Sequence, residues 1–204
     1  ILEGAQVGHR YYCMMMLVNM ESDGLVVFPT HRIIHSLESF DLEKTLKACE
    51  ELFEIKALTK EKAEAEMKNA EISGKKAFAL YTGNGNYNLL TLKNESVMAE
   101  ILPDKSAATQ GLDVSVLHSL ILERLFNIDK ENMANQKNLR YTRDINEAIE
   151  AVDNGEANCS FIINATKVTQ IRDVALAGEK MPQKSTYFYP KIITGLGMNK
   201  FADK

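Results

Sequence analysis

Two strand-like runs, Lys76–Tyr81 and Tyr87–Leu92, stand five residues apart, and this spacing restricts the fold more than any other feature of the chain. Between them lies Thr82-Gly83-Asn84-Gly85-Asn86. Gly and Asn tolerate the positive φ that a tight reversal needs, so the segment predicts a β-hairpin. Gly83-Asn84-Gly85 is not read as a nucleotide-binding loop, because a third glycine is missing and no helix follows.

The second half carries a different rhythm. Asp113 caps a helix through Phe126, with Val116, Leu117, Leu120, Ile121 and Leu125 on its apolar stripe. Leu139–Thr142 reads as a strand, Ile145–Val152 as a helix capped by Asp144, and Ala157–Asn164 as a buried strand. Val168–Ala177 reads as a helix ended by Gly178, and a strand around Thr186–Tyr189 follows. The crossovers are long enough for parallel pairing. In the first half, Tyr11–Asn19 predicts a buried strand, paired with Leu25–Phe28 across the turn Glu21-Ser22-Asp23-Gly24. Asp41–Phe53 has helical spacing, Glu54–Leu58 a short strand, and Thr59 caps a charged helix to Ile72. Pro103–Gly111 reads as a loop. The fold class is α/β, or mixed α+β, with a central mixed sheet and flanking helices.

Apolar residues make up 45% of 204 residues, enough for a core and against disorder. Net charge is −4 with signs interleaved, which argues against a nucleic-acid surface. The run Cys13–Val18 is too short to span a bilayer, so no membrane partner is expected. Cys13, Cys49 and Cys159 fit neither a disulfide framework nor a zinc site, and no metal site is expected. Reduced thiols and the absence of a visible secretory signal suggest the cytoplasm.

Two stretches hold candidate binding groups. In Met181–Leu196, strand alternation would set Ser185, Tyr187, Tyr189 and Lys191 on one face and Lys184, Thr186 and Phe188 on the other. Hydroxyls with a cation suit an anionic or phosphorylated ligand, though an edge strand with one solvated face fits the same pattern. Thr30, His31 and Arg32 follow a buried strand on what reads as a loop. There His31 suits acid/base work and Arg32 suits bidentate grip of a carboxylate or phosphate. A strand end with a solvated arginine is the plainer alternative. His118 lies beside an apolar stripe, where packing competes with ligand binding, and Asn164-Ala165-Thr166 is a turn able to present polar groups.

These residues resemble a known family. Met14-Met15-Met16-Leu17-Val18-Asn19-Met20-Glu21, Gly24–Arg32, Val116-Leu117-His118 with Leu122-Glu123, Asp153-Asn154-Gly155, and Asn164-Ala165-Thr166 resemble the domain of unknown function family 1015. So does Met181–Lys191 with Thr194-Gly195-Leu196, which is similar to the family's most distinctive motif. The resemblance implies a bacterial or archaeal cytoplasmic protein, distantly like the ParB/sulfiredoxin-type free-serine kinases. That superfamily handles phosphate with an Asp-Gly-x-His-Arg loop. This chain has only Gly8-His9-Arg10-Tyr11, preceded by Val7, so a complete kinase-type site is not expected within it. Residues 1–204 are expected to form a single domain, the C-terminal part of a longer protein.

The expectation that follows is phosphoryl transfer or nucleotide/phosphate binding linked to serine-type amino-acid metabolism. His31 is the catalytic candidate, and ADP or ATP with Mg²⁺ would be the cofactor. The absence of a Gly-x-x-x-x-Gly-Lys-Ser/Thr sequence excludes a P-loop enzyme. The alternative is a non-catalytic ligand-binding, regulatory or dimerisation module, with a homodimer as the expected assembly.

Overall fold

The computed structural model describes residues 15, 17–22 and 24–191. Two compact units are present: residues 27–187, and a smaller unit of residues 1–26 and 188–204. The larger unit is built on a six-stranded sheet. In chain order the strands are β1 (Val26–Phe28), β2 (His31–Ile34), β3 (Phe53–Leu58), β4 (Ala77–Tyr81), β5 (Tyr87–Leu92), β6 (Leu139–Thr142), β7 (Cys159–Ile163) and β8 (Tyr187–Tyr189). The large sheet has the order β3-β5-β4-β7-β2-β6, and β1 with β8 forms a separate two-stranded sheet.

The mixed α/β class is as the sequence predicts, but the six-stranded sheet holds no parallel pair among the described residues. Every neighbouring pair in the six-stranded sheet is antiparallel. The strand-helix-strand rhythm survives as a split unit: β6 and β7 flank β2 and each runs antiparallel to it. They therefore run in the same direction, joined by helix α7 (Ile145–Asp153), with β2 inserted between them. Helix spacing fixes the length of such a crossover and not what occupies the gap.

The helices cover both faces. On one, α1 (Leu42–Cys49), α3 (Val97–Ile101), α5 (Asp113–Val116) and α6 (Lys130–Asn135) enclose a core with Ile34, Phe78, Leu80, Leu90 and Phe161. On the other, α2 (Lys60–Ile72) and α7 pack small and apolar residues, Ala63, Met67, Ala70, Ala148 and Ala151, against Ile33, Ala79 and Ile162. Two helices complete the set: α4 (Ala107–Gln110), in the segment expected to be a loop, and α8 (Val168–Leu176). Val174 of α8 packs with Leu112 and Val114. An edge-on chain of rings crosses the first core: Phe53 to Phe78 at 5.6 Å, and Phe78 to Phe161 at 6.0 Å. Such pairs add about 0.5–1.5 kcal/mol each beyond area burial.

Local signals explain most boundaries. Asp41 caps α1 by accepting from Lys44 N at 3.0 Å, and Asp144 caps α7 from Asn146 N at 2.8 Å. The β4–β5 hairpin forms as predicted, with Gly83, Asn84 and Gly85 all at positive φ. Asp153 clasps its tip: its Oδ1 accepts from Tyr81 OH at 2.7 Å and from Asn84 N at 2.9 Å.

Other expectations fail. Met15 and Leu17–Asn19 are exposed and not in a strand; the rest of the Tyr11–Asn19 prediction lies outside the described residues. Among the described residues β1 has β8 as its partner. Asp113 sits inside the first turn of α5, with Leu112 at the cap. Beyond Val116 the helix widens into a π-helical stretch, Leu117–Glu123. Wider turns of this kind occur often at functional sites. Among the described residues no helix is long and apolar enough to cross a membrane. Gly8-His9-Arg10-Tyr11 and Thr194-Gly195-Leu196 lie outside the described residues.

Candidate functional site

His31 and Arg32 are strand residues, which corrects the loop expected for Thr30-His31-Arg32. All of His31–Ile34 is buried. Alternation then parts the two candidates. Arg32 shares a face with Ile34 and the first core, and His31 shares the opposite face with Ile33. His31 Nδ1 accepts from Ile163 N at 3.3 Å. Burial, then the Arg32 charge, lower its pKa to about 4, with Asp144 acting in the opposite sense.

Arg32 is fully buried and, among the described residues, has no carboxylate among its hydrogen-bond partners. Its Nη1 donates to the carbonyl of Thr30. Its Nη2 lies 3.1 Å from His118 Nε2 and 3.3 Å from the carbonyl of Lys184. The guanidinium carbon stands 5.6 Å from the centre of the Tyr141 ring, while Nε finds no hydrogen-bond partner among the described residues. Burial lowers the Arg32 pKa to about 10, so the group remains charged at neutral pH. Carbonyl dipoles and an aromatic face are what allow a charged residue in a buried strand.

His118 connects this arginine to a cavity. It sits on the π-helical stretch and lines a cavity of about 320 Å³, together with Ser115, Ser119 and Thr109. These four are buried and form the floor. Lys105, Lys130 and Lys180 line the exposed rim, and Glu123 is the one carboxylate among the lining residues. Met133, Leu102 and Pro182 supply apolar wall. The Ser115 hydroxyl, in a residue only 4% exposed, has no hydrogen-bond partner among the described residues. Burial, then Arg32, hold the His118 pKa well below 6.5, so the ring is neutral. A neighbouring carboxylate, Glu179, stands 3.9 Å from the Nζ of the rim residue Lys105. It accepts from Thr109 Oγ1 and from Ser106 Oγ at 2.8 Å, and these bonds, Thr109's first, hold its pKa below the usual range.

The turn before β8 meets the same region from above. The Lys184 backbone adopts φ +54°, and its carbonyl, not its exposed ammonium, reaches Arg32. Ser185 Oγ donates to Pro182 O at 2.5 Å, and Thr166 Oγ1 donates to Ser185 O at 2.9 Å. Ser185 is thus part of a turn and does not share a strand face with Tyr187 and Tyr189, since β8 begins at Tyr187. Thr186 is half-buried in the link between them. Tyr187 lies beneath the Arg143 guanidinium at 4.0 Å. Tyr189 and Lys191 belong to the smaller unit. Asn164 donates to Met67 O at 3.1 Å and so ties the end of β7 to α2.

The structure therefore gathers Thr30, Arg32, His118, Thr166, Lys184 and Ser185 around one network, and sets His31 and Asn164 elsewhere. Sequence reading did not single out Ser115, Ser119, Lys105, Lys130 and Lys180. One signal was available: Ser115, His118 and Ser119 recur at i, i+3 and i+4, a polar stripe on an otherwise apolar helix. The lysines are far apart in the chain and carry no local pattern. Among the described residues no group of three or more His, Cys, Asp or Glu is arranged to hold a metal ion.

Comparison with known proteins gives few matches. No curated protein matches the chain. A conserved hypothetical protein from Pyrococcus furiosus superposes with a TM-score of 0.46 at 18% identity, covering 85% of this chain and 60% of that one. A free serine kinase in complex with AMP gives 0.47 at 18% identity, with 85% and 57% coverage. A mutant free serine kinase in complex with ADP gives 0.46 at 16% identity, with 85% and 57% coverage. The chain thus spans about three fifths of the length of these solved proteins. A family model described as a protein of unknown function, DUF1015, matches residues 4–115. That match covers more than half of the 204 residues, and the chain belongs to the DUF1015 family.

Proposed function

We infer that the cavity beneath α5 and the π-helical stretch binds a small phosphorylated metabolite. The observation that carries this reading is a cavity with a buried polar floor, Ser115, His118 and Ser119, under a rim that holds three lysines. A buried hydroxyl without a partner costs about 1–3 kcal/mol, and rotation of the Ser115 side chain towards a ligand oxygen in the cavity would recover that cost. The rim cations attract negative charge, and the apolar wall excludes water from one side of it. Pockets of about 300–1,000 Å³ are typical of small-molecule sites, and this one lies at the lower end.

The enzymatic form of this reading is phosphoryl transfer between ADP or ATP and a serine-type hydroxy amino acid. Glu123, as a carboxylate on the cavity wall, favours it, because transfer to a hydroxyl needs a positioned base. The second form is a sensor that binds the same ligand without turnover. Lys184, Ser185, Thr186 and Tyr187 remain proposed contributors to anion binding, with Lys184 and Ser185 acting through the turn that Arg32 holds; for Tyr189 and Lys191 anion binding is proposed within the smaller unit alone.

Titration calorimetry with phosphate, phosphoserine, ADP and ATP tests the site. Each exposed cation contributes about 0.3–1 kcal/mol, so replacing Lys105, Lys130 and Lys180 together by Ala weakens binding roughly 5- to 150-fold. Unchanged affinity in that triple variant overturns the assignment. Loss of turnover with retained binding in Glu123→Gln supports transfer, and binding without turnover in the unaltered protein supports the sensor.

A further inference from the structure

The cavity floor contains one ring whose hydrogen-bonding polarity is fixed from behind. Arg32 Nη2 and His118 Nε2 are 3.1 Å apart. A guanidinium has five N–H donors and no acceptor. The contact is therefore Arg32 donating, and Nε2 must carry a lone pair. A neutral imidazole then keeps its single proton on Nδ1. Arg32 cannot easily turn away, because it also donates to the carbonyls of Thr30 and Lys184 and faces the Tyr141 ring. Through Lys184 the same side chain steadies the turn whose Pro182 and Gln183 line the cavity.

We propose that Arg32 is a positioning residue that holds His118 in the Nδ1–H form, and that this makes the buried end of the cavity a receptor for acceptor-only oxygens, phosphoryl, sulfuryl or carboxylate, and not for an ammonium. The proposal rests on the anion reading above and gives it a direction. The rim lysines attract the ligand; the floor, with the hydroxyls of Ser115 and Ser119 beside His118, decides which end goes in first. The opposite tautomer would present a lone pair at Nδ1 and accept a donor group instead. One side chain outside the cavity thus sets the chemistry of the group that enters it.

The test uses the full chain with ¹⁵N-labelled histidine and reads the imidazole nitrogens of His118 by NMR. Sulfate is the probe ligand, because its charge does not change between mildly acidic and mildly basic pH. The expected spectrum has Nδ1 protonated and Nε2 bare. Arg32→Met moves the ring towards the Nε2–H form, and Arg32→Lys, which can also only donate, keeps Nδ1–H. Sulfate is expected to shift the His118 Nδ1–H resonance. A wild-type His118 protonated on Nε2 overturns the proposal whether or not either variant folds. Sulfate that moves lysine signals without moving His118 overturns the floor's role while leaving the anion site standing. No response to sulfate anywhere overturns the anion site, and the tautomer then decides Arg32's role alone.

Discussion

Removing the Ser115 hydroxyl should make the unliganded protein more stable and a poorer binder. Ser115 is 4% exposed, and its Oγ has no partner among the described residues. Deleting a buried unpaired hydroxyl recovers about 1–3 kcal/mol. Ser115 lies in α5, where Ala exceeds Ser in helix propensity by about half a kcal/mol. Ser115→Ala is therefore expected to gain about 1.5–3 kcal/mol. For a chain of this size each kcal/mol moves Tm by about 2–4 °C. Ser160 provides the matched comparison: it is fully buried in β7, without a hydrogen-bond partner for its hydroxyl among the described residues, and not among the residues lining the cavity. Ser160→Ala should gain about 1 kcal/mol, since a strand offers no propensity bonus for Ala. Thr45→Ala is the opposite control, because Thr45 Oγ1 donates to Asp41 O at 2.7 Å; it should lose about 1 kcal/mol. Urea denaturation at constant m-value measures all three. Phosphate titration should then show about tenfold weaker binding for Ser115→Ala, the equivalent of one hydrogen bond, and no change for Ser160→Ala. A Ser115→Ala protein less stable than wild type by more than about 0.5 kcal/mol would refute the reasoning, because the hydroxyl would then have a partner in the fold itself.

Arg32→Met should destabilise by about 2–4 kcal/mol, since the carbonyls of Thr30 and Lys184 lose their donor; a stable variant in urea titration would show that those bonds carry no weight. His31 has a folded pKa of about 4 against an ordinary 6.5, so the native state binds fewer protons than the unfolded state. Its contribution is complete above pH 6.5 and is lost as pH falls from there through 4, on the order of 3 kcal/mol at the extreme. His31→Gln should flatten that slope in denaturation curves taken from pH 7.5 to 4. Asp113 has the opposite sign: burial raises its pKa from 3.8 to about 6, so its penalty is absent at low pH and grows as pH rises. Asp113→Asn should stabilise at pH 8 by on the order of 1–3 kcal/mol and change little at pH 3.5, as thermal melts at the two values will report.

Much of the architecture could be read from the sequence because its signals are local. Asp41 and Asp144 announce helix starts through side chains that reach the next turn, and Gly83-Asn84-Gly85 announces a reversal through backbone freedom alone. Strand β2 was not legible. An arginine in the middle of a strand normally marks exposure, and only distant groups, a tyrosine face and the carbonyl of Lys184, make it tolerable inside. Nor does any residue in Leu117–Glu123 announce a π-helical widening. The site was half legible for the same reason. His118 and Arg32 are conspicuous types in conspicuous places, whereas Lys105, Lys130 and Lys180 look like ordinary surface charge until the fold brings them to one rim. The apolar run ending at Asn19 was read as core on composition, yet Met15 and Leu17 are 77% and 92% exposed. Hydrophobicity alone does not supply a strand with a neighbour.

The insertion of β2 between β6 and β7 has a consequence for assembly. Residues 31–34 must wait, during synthesis, until residues 139–142 and 159–163 have left the ribosome before either edge of that strand can be satisfied. More than a hundred residues of chain have to be made before its keystone can be seated, and joining such remote segments is slow. Until it is seated, β6 has no strand of the sheet to pair with.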